Sequence, residues 1–152
     1  MRYTKIVKKP VEVRRKRWNI DGRGSLIELV RSDEIDGNIQ QVYLTTIRPG
    51  VIKAWHLHEK QTDRMMLVSG LVRFVVWDSN AEENITKLDL IVDSRDPYLI
   101  IIPPNLYHGF QNIGNTEAMI INSPDALYNR KSPDEHRIPY NRMGSWDVCV
   151  NG

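Results

Sequence analysis

Residues 51–58 read VIKAWHLH, and the way this octapeptide sits decides the fold. On a β-strand, residues two apart point to the same face. His56 and His58 would share one face, and Trp55 and Leu57 the other. Two imidazoles on one face of a packed strand must both be hydrated or paired. They read as metal ligands, as acid–base groups, or as packed polar residues with partners.

The segments on either side repeat the pattern. SLIELVR (25–31), IQQVYLTTI (39–47), DRMMLV (63–68), LVRFVVWD (71–78), ITKLDLIV (85–92), YLIII (98–102) and EAMIIN (117–122) are rich in β-branched, aromatic or other large apolar residues. Turn signals separate them: Asp36-Gly37-Asn38, Arg48-Pro49-Gly50, Ser69-Gly70, Asp96-Pro97, Pro103-Pro104 and Gly114-Asn115. Many short strands at regular spacing predict an antiparallel sandwich or barrel. No long amphipathic helix, internal repeat or low-complexity segment competes. After Asn122 the chain turns to Pro, Asp, Asn and Arg, which predicts an irregular tail with one helical turn. The 152 residues suit a single domain, 1–152, with its core at about 20–125.

Composition excludes several function classes. A formal net charge of +2 gives no general reason to bind nucleic acid or a membrane surface. No apolar run approaches the roughly 18 residues of a membrane span, and the start, MRYTKIVKKPVEVRRKRW, has no apolar core like a signal peptide's. The single cysteine, Cys149, cannot form an internal disulfide. A reducing cytoplasm is the simplest setting. The basic run RRKRW (14–18) reads as a charged edge strand or as part of a phosphate-binding rim. His136 reads as solvent-facing, and Trp18, Trp77 and Trp146 as core or interface residues rather than stacking platforms.

Two spacings carry a resemblance. Gly50, His56, His58, Asp63 and Gly70 form one, and Pro103, Asn105, His108 and Asn112 the other. Together they resemble the two cupin motifs, with Asp63 in place of the usual glutamate and Asn105 in place of a glycine. The resemblance implies an all-β cupin double-stranded β-helix, a jelly roll, in which His56, His58 and His108 face one cavity. With Asp63 these could hold Zn, Fe, Mn, Ni or Cu, so a metal-dependent cupin enzyme stays open, as does a non-catalytic sugar-binding cupin.

A wider pattern resembles the dTDP-4-dehydrorhamnose 3,5-epimerase family, a cupin branch that works without metal or other cofactor. It rests on DGRGSLIEL (21–29), QVYLTTIRPGVIKAWH (41–56), QTDRMMLVSGLVRFVVWD (61–78) and IPPNLYHGF (102–110), in order over roughly 20–125. The resemblance implies epimerisation of a nucleotide-diphosphate 4-keto-6-deoxyhexose at C3, C5 or both. His56 would be the base, Lys53 the cation facing the enolate oxygen, and His58 a catalytic neighbour. Arg23, Glu28, Gln41, Tyr43, Gln61 and His108 would contact substrate. The family also implies a homodimer in which Arg14, Arg15 and Arg17 reach the partner's site. Three positions depart from its pattern. Ile121 stands at the place of the acidic tyrosine, leaving Tyr128 as a candidate acid. Asp63 stands at the place of a lysine. The aspartate that orients the base has no match in the tail. Sugar-nucleotide 3,4-ketoisomerases are a sister resemblance, carried by VYL (42–44) and His56-Leu57-His58. There both histidines move protons and the tyrosine matching Tyr43 assists.

Overall fold

The computed structural model describes residues 9–79, 85–144 and 146. The strands are β1 (Glu12–Arg15), the hairpin β2 (Asn19–Asp21) and β3 (Gly24–Leu26), β4 (Tyr43–Ile47), β5 (Ile52–Leu57), β6 (Asp63–Ser69), β7 (Leu71–Asp78), β8 (Ile85–Asp93), β9 (Tyr98–Ile102), β10 (Tyr107–Asn112), β11 (Ala118–Asn122) and β12 (His136–Arg137). They form two five-stranded antiparallel sheets, β1-β9-β6-β11-β4 and β12-β5-β10-β7-β8, beside the small β2-β3 ladder. This is the expected all-β jelly-roll arrangement.

The inner faces meet in a core that includes Ile47, Leu67, Val72, Phe74, Ile100 and Ile120, all buried. Two backbone positions show what the close packing demands. A Cβ on Gly109 would lie 2.3 Å from the Ala54 Cβ, so β10 reaches β5 only without a side chain there. Asn105, at the place where the motif carries glycine, takes a φ of 66°, in the left-handed region that asparagine tolerates better than most residues.

Most of the expected strands appear within a residue or two of their predicted limits. The exceptions are IQQVYLTTI, whose strand begins only at Tyr43, and SLIELVR: only Gly24–Leu26 is strand, and residues 27–42 form turns and irregular chain before Tyr43. Leu26 is exposed, whereas Ile27, Leu29 and Val30 are partly buried without belonging to a strand. Arg64, wholly buried, holds the loop instead: its guanidinium donates to the carbonyls of Asp36 and Asn38, and to that of Ser123.

The tail is more structured than its composition predicts. It returns to the edge of the second sheet, where β12 pairs with β5 in the register His136↔Leu57 and Arg137↔His56. A second apolar cluster of Trp55, Val75 and Trp146, flanked by Ile52, Trp77, Ile138 and Met143, packs beneath it. The indoles of Trp55 and Trp146 both donate to the Tyr140 carbonyl, each at 3.1 Å. The 3-10 turn at Tyr140–Arg142 is the expected helical turn. Trp77 packs on Tyr107 and Trp18 donates to the Ser94 carbonyl, so these tryptophans serve packing, as expected. Among Arg14, Arg15 and Arg17, the first two lie on the edge strand β1, paired with Glu12 and Asp96. Cys149 lies outside the described residues.

Candidate active site

β5 divides its side chains as expected: Trp55 goes to the tail cluster, and His56 and His58 to a cavity of about 720 Å³ between the sheets. Strict alternation would place Lys53, three residues before His56, on the opposite face. Against β10, however, the register moves from His108↔His56 to Phe110↔Lys53, so β5 carries one extra residue. Such a bulge reverses the alternation, and Lys53 and His56 both line the cavity. The Lys53 ammonium donates to the Thr46 carbonyl at 2.8 Å.

The tail supplies the partner of His56. Glu135 Oε1 accepts the His56 Nδ1–H at 2.9 Å, fixing the tautomer and leaving Nε2 as the basic nitrogen. The same oxygen accepts from the Arg137 guanidinium at 2.9 Å. Burial lowers the pKa of His56, partly countered by Glu135, so the ring is neutral near pH 7. For the Glu135 carboxyl, burial is outweighed by the hydrogen bonds from Arg137 and His56, and its pKa falls. Asp134, one residue earlier, anchors the tail. Its carboxylate accepts from the backbone N–H groups of Glu59, Lys60 and Gln61 at 2.9, 3.0 and 3.1 Å, and its carbonyl accepts from His58 Nδ1.

Deeper in the cavity sits Asp63, 1% exposed. Its Oδ2 lies 3.1 Å from His108 Nε2 and 3.6 Å from His58 Nε2. Its Oδ1 accepts from Gln61 at 2.6 Å and Asn122 at 2.8 Å. Burial alone would raise the carboxyl. The hydrogen bond and charge of His108, the charge of His58 and the Asn122 amide outweigh it and hold the group down to about 2. Asn122 also donates to the Tyr43 hydroxyl at 2.7 Å. Burial of this hydroxyl end, then the charge of Asp63, pushes the Tyr43 phenol up to about 12, so it remains a proton donor at neutral pH. One ligand atom each from His58, Asp63 and His108 lies within 4.8 Å of the others, a set that could hold a divalent metal.

The structure thus brings Lys53, His56, His58, Gln41, Tyr43, Gln61, His108 and Tyr128 around one cavity. The amide oxygen of Gln41 accepts from the Tyr128 backbone N–H at 3.3 Å. Arg23 and Glu28 do not line it. Arg23 pairs with Asp21, and Glu28 with Arg31, on the exposed side of the loop. Ile121 is not at the cavity either. On β11 the residues that reach the wall are Ile120 and Asn122. His136 is exposed and pairs with Glu59 at 3.2 Å, as expected for a solvent-facing histidine. Sequence reasoning missed Glu135, Arg137 and Asn122. For the first two the available signal was their spacing: two acidic or basic residues two apart share a face only if the tail is extended.

The model of the polysaccharide biosynthesis C-terminal domain family matches residues 19–136. A probable low-salt glycan biosynthesis epimerase of Haloferax volcanii is 36% identical over 151 residues, covering 93% of this chain and 96% of that protein. A spore coat polysaccharide biosynthesis protein of Bacillus subtilis is 37% identical over 134 residues, covering 86% and 88%. The solved dTDP-4-dehydrorhamnose 3,5-epimerase of Sulfolobus tokodaii superposes with a TM-score of 0.77 at 21% identity, over 91% of this chain and 82% of that one.

Proposed function

We propose a function from one premise: the chain belongs to the polysaccharide biosynthesis C-terminal domain family. Within it, this protein is an epimerase of a nucleotide-diphosphate 4-keto-6-deoxyhexose. The observation that carries this reading is a neutral histidine, His56, held at Nδ1 by the Glu135 carboxylate on the wall of a sugar-sized cavity. A ketone at C4 acidifies the protons on C3 and C5. His56 Nε2 removes one of them and becomes the imidazolium that Glu135 stabilises. The electrons of the broken C–H bond move to the ketone oxygen as an enolate, facing the Lys53 ammonium. A proton returns to the opposite face of the carbon from a hydroxyl donor, and Tyr43 and Tyr128 are the tyrosines at the cavity. His56 then releases its proton to solvent and the hydroxyl donor regains one from solvent, which returns both groups to their starting states. The scheme consumes no redox equivalent and calls on no cofactor.

One observation favours a second reading, 3,4-ketoisomerisation. His58 has its Nδ1 held by the Asp134 carbonyl and its Nε2 near Asp63, so it too is an oriented acid–base group. Both readings are proton transfer beside a ketone. Incubation with nucleotide 4-keto-6-deoxy sugars in deuterated water, followed by NMR, tests them. For an epimerase, His56→Asn abolishes deuterium uptake, whereas His58→Asn slows it without changing the carbon that exchanges. For a ketoisomerase, both variants are comparably impaired and the product carries its ketone at C3. Uptake at no carbon of any such sugar would reject both.

The same reading makes the protein a cytoplasmic homodimer. Arg23 and Glu28, outside their own chain's cavity, then face the partner's nucleotide together with Arg14, Arg15 and Arg17. Among the described residues no helix is long and apolar enough to cross a membrane.

A further inference from the structure

Arg137 is a cavity residue that the catalytic scheme leaves unused. It stands on β12 in register with His56. Its guanidinium and the His56 imidazole donate to one and the same oxygen, Glu135 Oε1. The three groups are not equally enclosed. The Arg137 side chain is 67% exposed, that of Glu135 only 19%. The guanidinium is therefore the partner with open space around it. Among the described residues that line the cavity, Lys53 and Arg137 carry the permanent positive charges, and Lys53 is turned to the Thr46 carbonyl. A guanidinium fork matches two phosphate oxygens better than it matches one carboxylate oxygen already shared with a histidine.

We propose that Arg137 is a positioning residue that couples the arrival of the substrate's diphosphate to the base strength of His56: the guanidinium turns from Glu135 to the phosphate oxygens and leaves Glu135 to His56 alone. The proposal rests on the nucleotide-sugar reading above. The charges around His56 set its direction. Glu135 and Arg137 face the ring from β12. His108 faces it from β10, with ring centroids 6.2 Å apart. Lys53 lies on its own strand and His58 one residue past the strand's end. Asp63 of β6 addresses His58 and His108, and the Asp134 carboxylate is taken by backbone N–H groups. Of the charges acting on His56, Glu135 favours the imidazolium, and Arg137 and His108 oppose it. Withdrawing the guanidinium removes an opposing charge and frees the carboxylate. The base is then strong when an anionic substrate is in place and weaker otherwise.

The test is an NMR titration of the His56 ring in the whole protein, assigned by its loss in His56→Asn, with and without saturating inorganic pyrophosphate. In the wild type, pyrophosphate should raise the midpoint by roughly half a pH unit, the effect of a unit charge about 6 Å away through water-like screening. In Arg137→Gln the midpoint should already lie higher without pyrophosphate, and pyrophosphate should add less than half the wild-type shift. Arg137→Lys, which keeps the charge without the fork, should keep the wild-type midpoint and bind pyrophosphate more weakly. Equal pyrophosphate shifts in wild type and Arg137→Gln would mean that the anion acts on His56 directly, and would overturn the proposal. Failure of pyrophosphate to bind, or to move the wild-type midpoint, would overturn it too. The readout needs no turnover, so it can succeed where the deuterium-exchange test of the reaction fails, and the reverse.

Discussion

Exchange of Glu135 for glutamine keeps the shape of the side chain and an oxygen able to accept the His56 Nδ1–H, and removes only the negative charge. His56 is neutral before it takes a proton from the sugar and positive afterwards. The loss therefore falls on the transition state, not on substrate binding. A hydrogen bond to a charged group contributes about 1.5–3 kcal/mol. Here the bond is 2.9 Å long and its carboxylate is largely enclosed, but glutamine keeps the acceptor oxygen, so only the charge's share of the bond is lost. The lower half of the range applies, about 1.5–2 kcal/mol, which lowers kcat about 10- to 30-fold with KM little changed. The assay is the initial rate of deuterium incorporation at saturating nucleotide sugar, read by NMR. The acidic limb of the rate profile gives a second readout. Glu135 raises the pKa of His56, so its neutralisation moves that limb to lower pH. A kcat within about twofold of wild type, a change confined to KM, or a limb that moves upward would refute the role given to Glu135. A loss as large as that of His56→Asn would mean that the carboxylate itself carries the proton.

Lys53→Ala should reduce turnover about a hundredfold to a thousandfold, the usual loss of a group aimed at a developing oxyanion. Calorimetry of nucleotide-sugar binding should change far less, and weak binding with normal saturated turnover would make Lys53 a plain binding residue. Burial lowers His56 below its ordinary 6.5, so the acidic limb of kcat/KM should have its midpoint below 6.5; a midpoint at or above that value contradicts the assignment. Asp63 sits at about 2 when folded against 3.8 when unfolded, so its contribution is present above 3.8 and is lost as pH falls through about 2. That contribution is about 2 kcal/mol. Asp63→Asn should thus lower Tm at neutral pH by about 4–8 °C, and thermal scans should show the gap to wild type closing between those two pH values. Protein purified without chelator should carry no stoichiometric transition metal, because the Asp63 carboxylate is already satisfied by Gln61, Asn122 and His108. One metal per chain, with activity lost on chelation and restored by that metal, would make His58, Asp63 and His108 ligands.

The fold was legible because both of its signals are local. Short runs of β-branched and aromatic residues between Gly, Pro and Asn turns specify strands, and a period of two assigns their faces. The same rule was enough to place His56 and His58 in one cavity with Trp55 turned away. It failed where the chain is not regular. Lys53 reaches the cavity because β5 carries an extra residue against β10, and a bulge is a property of the pair of strands rather than of either sequence. Ile121 was assigned by counting along a motif, but the pleat of β11 sends Ile120 and Asn122 to the wall instead. SLIELVR has a strand's composition, but only Ser25 and Leu26 pair, with β2, and Arg64 fixes the following loop by binding its carbonyls. Glu135 was the hardest to foresee. It lies 79 residues from His56, in a segment whose composition says loop. Packing of Trp146 on Trp55, the hydrogen bonds of both indoles to Tyr140, the β12–β5 ladder and the Asp134 carboxylate together bring that segment back along β5. The sequence alone determined which residue types could do the chemistry. Which carboxylate meets which imidazole was decided by the tertiary structure, because a hydrogen bond depends on distances that local periodicity does not contain.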